Sequence, residues 1–258
     1  MAGLSTQVAR SAEVTAGAGS PLLRLAGLGK SYGALRVTDD ISLSVARGEL
    51  LGILGPNGAG KTTLFNLISG DVRPDQGRIE FLGEDNTALK PHQRCRRGIG
   101  RSYQVPQPFS HMTVFENLVT AACFGGQQDE HEAWDTASQV LTQTGLMKFA
   151  NHRAGSLTLL NRKRLELGRA LATGPDLLLL DEIAGGLTDH EAHELVDELR
   201  RIKASGVTMI WIEHVVHALL SVADRLYVIN FGKKLAEGLP DEVINDPEVQ
   251  RVYMGMEA

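Results

Sequence analysis

Three places in the chain carry residues whose types and spacing could do chemistry. Gly55 to Thr63 reads GPNGAGKTT and fits the phosphate-binding pattern GxxxxGK[ST] at Gly55, Gly60, Lys61 and Thr62. Glycines at that spacing let main-chain N–H groups converge on one phosphate. Lys61 adds a mobile point charge for the β and γ phosphates, and the Thr62 hydroxyl is a ligand for Mg²⁺. The candidate nucleotide contacts are therefore Gly55, Pro56, Asn57, Gly58, Ala59, Gly60, Lys61, Thr62 and Thr63. Further on, Leu177 to Glu182 reads LLLLDE, an acid pair behind four leucines. Asp181 suits anchoring Mg²⁺ through water, and Glu182 could take a proton from an attacking water. Glu213 and His214 close the next apolar run, and His214 there could donate to a γ phosphate. The chemistry implied is hydrolysis of the terminal phosphate of a nucleoside triphosphate.

The flanking sequence supplies elements to hold these groups. Leu50, Leu51, Ile53 and Leu54 form an apolar strand into the glycine loop, and a helix starts at Lys61, bringing its unpaired N–H groups and positive dipole end. Leu64, Phe65, Leu67 and Ile68 give that helix its buried stripe before Gly70 ends it. Four leucines in line fit a parallel strand buried on both faces, whose carboxyl end is where an open α/β sheet places ligands. Further strands are expected at Ile41–Val45, Arg78–Leu82, Ile99–Gln104, Val207–Ile212 and Leu226–Ile229. Capping boxes at Thr113–Glu116 and Thr188–Glu191 start two helices. Others are expected over Glu132–Gly145 and Ser156–Thr173, with two short ones between Pro240 and Gly255. Arg94, Arg96 and Arg97 read as a solvated helix face. Tyr32, placed on a turn with Lys30, Ser31 and Gly33, reads as a packing residue or as a ring lying flat against a purine. Phe109, Met112 and Phe115 read as core or as an apolar groove for a partner's helix. His190 and His193, in DHEAHE, lack the HExxH spacing of a zinc protease and read as a solvated face.

Composition removes several classes. A formal net charge of -5 over 258 residues offers no basic field for a nucleic-acid backbone. The two cysteines, Cys95 and Cys123, make no disulfide framework. No apolar run reaches the length of a spanning helix. Residues 1–20, rich in Ala, Ser, Thr and Gly, read as a disordered tail, and 21–258 as the folded domain.

In this order, these residues resemble the ATP-binding subunit of an ABC transporter from about Leu22 to Gly255. The segments VFENL, KRLELGRALAT, IEHVVHAL and DPEVQRVYMG look most like the branched-chain (hydrophobic) amino acid importer branch. The resemblance implies an α/β P-loop NTPase core, a mostly parallel sheet flanked by helices. An N-terminal antiparallel β subdomain and a helical subdomain at about 105–172 are added to it. It makes Tyr32 the adenine-stacking aromatic, Gln104 the Q-loop glutamine, Asp181 and Glu182 the Walker B aspartate and catalytic glutamate, and His214 the switch histidine. Lys61 and Gln104 join Glu182 and His214 in catalysis, while Thr62, Gln104 and Asp181 hold the metal. ATP and Mg²⁺ are the implied cofactors. Two transmembrane permease subunits, a second ATP-binding subunit and an external binding protein are the implied partners, at the cytoplasmic face of the plasma membrane.

One segment departs from the family. Where the signature LSGGQ stands, this chain has Leu157, Thr158, Leu159, Leu160 and Asn161. Thr158, Leu160 and Asn161 would face the nucleotide of the opposite subunit, with the Leu160 side chain standing in the way. Ile183 and Thr188 also replace the family's usual proline and acid or amide. The asymmetry points to a heterodimer, this chain supplying its loop, Glu182 and His214 to a working site completed by another subunit. A rival reading makes it a nucleotide-gated structural subunit that binds ATP and hardly hydrolyses it. Chromosome and translation ATPases are disfavoured, for the chain lacks heptads between its two nucleotide motifs and carries one such domain.

Overall fold

Two sheets share one apolar layer. In the computed structural model, which describes residues 20–254, β1 (Leu23–Tyr32) and β2 (Leu35–Val45) form a hairpin through Gly33. The expected tail falls outside the described residues except for Ser20, as does Gly255. β3 (Leu50–Leu54) then leads through the glycine loop into α1 (Lys61–Ser69). β4 (Gln76–Phe81) and the short β5 (Glu84–Asp85) complete an antiparallel sheet in the order β2-β1-β4-β5. After α2 (Pro91–Arg96) comes β6 (Ile99–Arg101), three residues shorter than expected because Ser102 to Gln104 leave the sheet.

Three helices follow: α3 (Val114–Phe124), α4 (Glu130–Gln143) and α5 (Leu159–Ala172). They pack on one another around Leu118, Ala137, Val140, Leu141 and Leu167. The Thr113–Glu116 capping box forms as expected. An Asp129–Glu132 box starts α4 two residues earlier than expected, because Asp129 accepts from the Glu132 N–H. The segment from Ser156 is less helical than expected: a 3-10 turn at Ala154–Ser156 and an extended Leu157 precede α5.

The second half alternates strand and helix: β7 (Leu177–Asp181), α6 (Asp189–Ala204), β8 (Thr208–Ile212), α7 (Val216–Leu220) and β9 (Arg225–Asn230). β10 (Lys233–Gly238), α8 (Pro240–Ile244) and α9 (Pro247–Met254) end it. The six-stranded sheet runs β10-β9-β3-β8-β7-β6, parallel except for β10. Alternation along β7 shows why it is aliphatic throughout. Leu177 and Leu179 join Ile53, Leu64 and Ile210 beneath the antiparallel sheet, whereas Leu178 and Leu180 face the helices with Trp211 and Leu195.

Arg94 corrects one expectation. It is buried, not solvated: Nη1 donates to the carbonyls of Leu67 (2.6 Å) and Ile68 (2.8 Å). Nε donates to Leu89 O (3.1 Å) and Nη2 to Thr87 O (3.1 Å). The side chain thus caps the orphan carbonyls at the end of α1, the helix that begins in the glycine loop. Burial lowers its pKa to about 10, with Asp71 and Asp85 opposing. Arg94→Met strands those carbonyls, so a loss of about 2–4 kcal/mol in unfolding free energy is expected, measured by urea denaturation.

Candidate nucleotide site

The glycine loop is held from behind by two strands. A Cβ at Gly55 would lie 2.4 Å from Ile229 O on β9, and one at Gly60 would lie 2.5 Å from Val37 O on β2. Gly60 also has φ 104°, which a side chain strains against. These contacts leave no room for a side chain at either glycine; Ala59 is buried while Asn57 and Gly58 are exposed. The hairpin between β9 and β10 clasps it further, the Gly232 N–H donating to Ala59 O at 3.0 Å.

At the loop's end, α1 begins with Gly60 as N-cap, without a side-chain cap and without an acid in its first turn. This donor set, main-chain N–H groups and an ammonium, fits a polyphosphate. Lys61 is buried at 5% exposure and its Nζ donates to Gly55 O (2.6 Å) and Pro56 O (3.0 Å). Burial lowers its pKa; Glu182 and Asp181 pull it back up, so both acids act on this ammonium. Thr62 is exposed and Thr63 half-buried at the mouth.

Glu182, Gln104 and His214 converge. β7 ends at Asp181, and Glu182 turns out of the strand in a left-handed conformation, φ 46°. Its Oε1 lies 2.7 Å from His214 Nε2, and its Oε2 accepts from the Gln104 side-chain amide. Residues from three separate loops thus meet on one carboxylate.

Asp181 is buried beside them, its Oδ2 accepting from Arg101 Nη2 at 3.1 Å. Burial raises its pKa, with Arg101 as the main opposing influence.

Tyr32 departs from expectation in its setting: it ends β1 instead of sitting in the turn. Its ring is 49% exposed, with Lys30 Nζ 5.6 Å from the centroid, and it pairs with Leu35, two residues before the Val37 that backs Gly60.

The signature segment corrects another expectation. Thr158 caps α5 through its hydroxyl, but Leu160 is buried at 8% exposure, so it turns into its own subunit. Leu159, at 46%, is the leucine that protrudes. Asn161 is buried as well. Phe115 stacks edge-on against Trp134 and is packing, whereas Phe109 is 48% exposed on a groove of about 370 Å³. Tyr103, Phe124, Arg101 and Arg169 line the same groove. His190 is solvated, pairing with Glu194.

Two residues were missed by motif reading. Glu213 is fully buried, and its carboxylate accepts from the N–H groups of Ala184 (3.0 Å) and His214 (3.0 Å), stitching the loop after Glu182 to the one bearing His214. Burial raises its pKa, opposed by those hydrogen bonds. Arg101 also binds Asn66, Ser69 and Asp71. An arginine ending the short strand β6, beside a strand that ends in a buried acid, was the available signal.

An amide-lined loop, a buried lysine and an acid–histidine–glutamine cluster at the edge of a parallel sheet define a phosphate-loop ATPase. The ABC transporter family model matches residues 38–185, and the chain belongs to that family. A second model, described as branched-chain amino acid ATP-binding cassette transporter, matches residues 233–255. The high-affinity branched-chain amino acid transport ATP-binding protein LivG of Salmonella typhimurium is 36% identical over 250 residues, covering 91% of this chain and 98% of that protein. The lipopolysaccharide export ATP-binding protein LptB of Haemophilus influenzae is 35% identical over 234 residues, covering 91% and 97%. A solved ATP-binding cassette of an ABC transporter in its ADP conformation superposes with TM-score 0.82 at 32% identity, covering 92% and 100%. The chain is accordingly an ATP-binding, ATP-hydrolysing subunit of a transporter, and it uses ATP and Mg²⁺. Among the described residues no helix is long and apolar enough to cross a membrane.

Proposed function

We propose that the chain powers an importer of branched-chain or other hydrophobic amino acids, from the cytoplasmic face of the plasma membrane. The match at residues 233–255 carries this choice. Overall identity does not, since an amino acid transport ATPase and a lipopolysaccharide export ATPase are nearly equally similar. The partners are two permease subunits, a second ATP-binding subunit and an external binding protein.

In this reading Lys61 and the N–H groups of the glycine loop bind the phosphates, and Tyr32 stacks on the base. Mg²⁺, held by Thr62, Gln104 and Asp181, would offset charge on the β and γ phosphates. Glu182 orients and deprotonates the lytic water, while His214, bonded to that carboxylate, donates toward the γ phosphate. The bond from Gln104 to Glu182 ties hydrolysis to the segment leading to Phe109 and the groove, where a permease helix would seat. Leu159 protruding from the start of α5 supports a different second subunit, because it stands on the face that would meet the opposite nucleotide.

The test is reconstitution of the complex that co-purifies with the chain, with its binding protein, in ATP-loaded vesicles. Uptake of labelled leucine or valine is expected, with two different ATPase chains in the complex. Uptake of urea or short amides without leucine contradicts the cargo. A homodimer of this chain turning over at the full transporter rate contradicts the pairing.

A further inference from the structure

Lys163 lies on α5, five residues after Thr158, and is buried at 5% exposure. A buried ammonium needs a partner, and the obvious one would be a carboxylate. Among the described residues it makes no ion pair within 4 Å. Its Nζ donates instead to the main-chain oxygen of Glu182, at 3.3 Å. Burial lowers its pKa, and Glu213 and Glu182 are the acids that oppose this.

That oxygen belongs to a backbone in an unfavourable region. A non-glycine residue at φ 46° persists only where its surroundings hold it. Glu182 N donates to Ile212 O at 2.9 Å, and Gly185 N reaches the same Glu182 oxygen at 3.2 Å. Lys163 is the charged member of this set and the one that comes from another helix. Its loss would leave the Gly185 N–H as the donor to that carbonyl and loosen the turn, letting the Glu182 carboxylate swing off His214 and Gln104.

We propose that Lys163 is a positioning residue for hydrolysis, fixing the left-handed backbone of Glu182 so that its carboxylate stays aimed; this rests on Glu182 being the base.

The test compares Lys163→Met, Lys163→Arg and Glu182→Gln in the assembled transporter. Lys163→Met is expected to lower kcat by about 10- to 100-fold. The Kd for a fluorescent Mg-ATP analogue should stay within about twofold, and Lys163→Arg, which keeps a charged donor, should regain most of the rate. An unchanged kcat in Lys163→Met, alongside an inactive Glu182→Gln, overturns the proposal and leaves Glu182 as base. Loss of nucleotide binding in parallel with rate, or no recovery in Lys163→Arg, overturns it by showing a general structural role. Full turnover in Glu182→Gln removes the base itself.

Discussion

Glu182→Gln is expected to lower kcat for ATP hydrolysis by about 10²–10⁴-fold. Mg-ATP affinity should remain within about twofold of the parent. The amide has the volume of the carboxylate and can still hydrogen-bond to His214 and Gln104, so the arrangement of the three loops survives. What it lacks is a lone pair basic enough to accept a proton from water. Lys61 and the glycine loop, which bind the phosphates in this account, are untouched. Equilibrium binding and steady-state hydrolysis on the same preparation separate the two effects. Turnover near the parent rate would remove Glu182 from the role of base.

Lys61→Met should act on the other half of the cycle. Its ammonium is buried and already bound to the Gly55 and Pro56 carbonyls, so little side-chain entropy is lost when a phosphate takes their place. Truncating one partner of a buried charge pair costs about 2–5 kcal/mol, which is roughly a 30- to 4,000-fold weaker Mg-ATP complex. Stability should hardly follow. Burial holds the folded-state pKa of Lys61 below its unfolded value, so the unfolded chain holds that proton more readily, and wherever Lys61 is charged in the folded chain its burial costs stability. The penalty is fully present there and fades only as pH rises through the lowered pKa. Removing the charge lifts that penalty while taking a donor from the Gly55 and Pro56 carbonyls, two opposed effects, so the nucleotide-free melting temperature should change little. A variant that bound poorly because it had unfolded would show a large drop.

The parts of the fold that could be read from the chain are those governed by periodicity and local turns. The leucines of β7, the apolar stripe of α1 and the capping hydroxyls of Thr113 and Thr188 declare themselves within a few residues. The meeting of Glu182 with His214 followed from both standing at carboxyl ends of parallel strands, which β7 and β8 are as direct neighbours. What stayed hidden depends on partners far away in the chain. Arg94 looked like one of three surface arginines because its acceptors are the carbonyls at the end of α1, which leave no pattern in sequence. Lys163 sits in a helix with arginines on both sides, and only the crossing of α5 over the Glu182 turn distinguishes it. Leu160 was expected to protrude, but Leu159 does, since which leucine faces inward is set by where Thr158 starts the helix.

The most direct measurement is a crystal structure of Glu182→Gln with Mg-ATP. It should show the γ phosphate against Lys61 Nζ and the first N–H groups of α1, with residue 182 and His214 both within about 6 Å of the phosphorus, one water between. Phosphates lying away from Lys61, or a side chain at 182 directed elsewhere while the nucleotide is in place, would contradict the account.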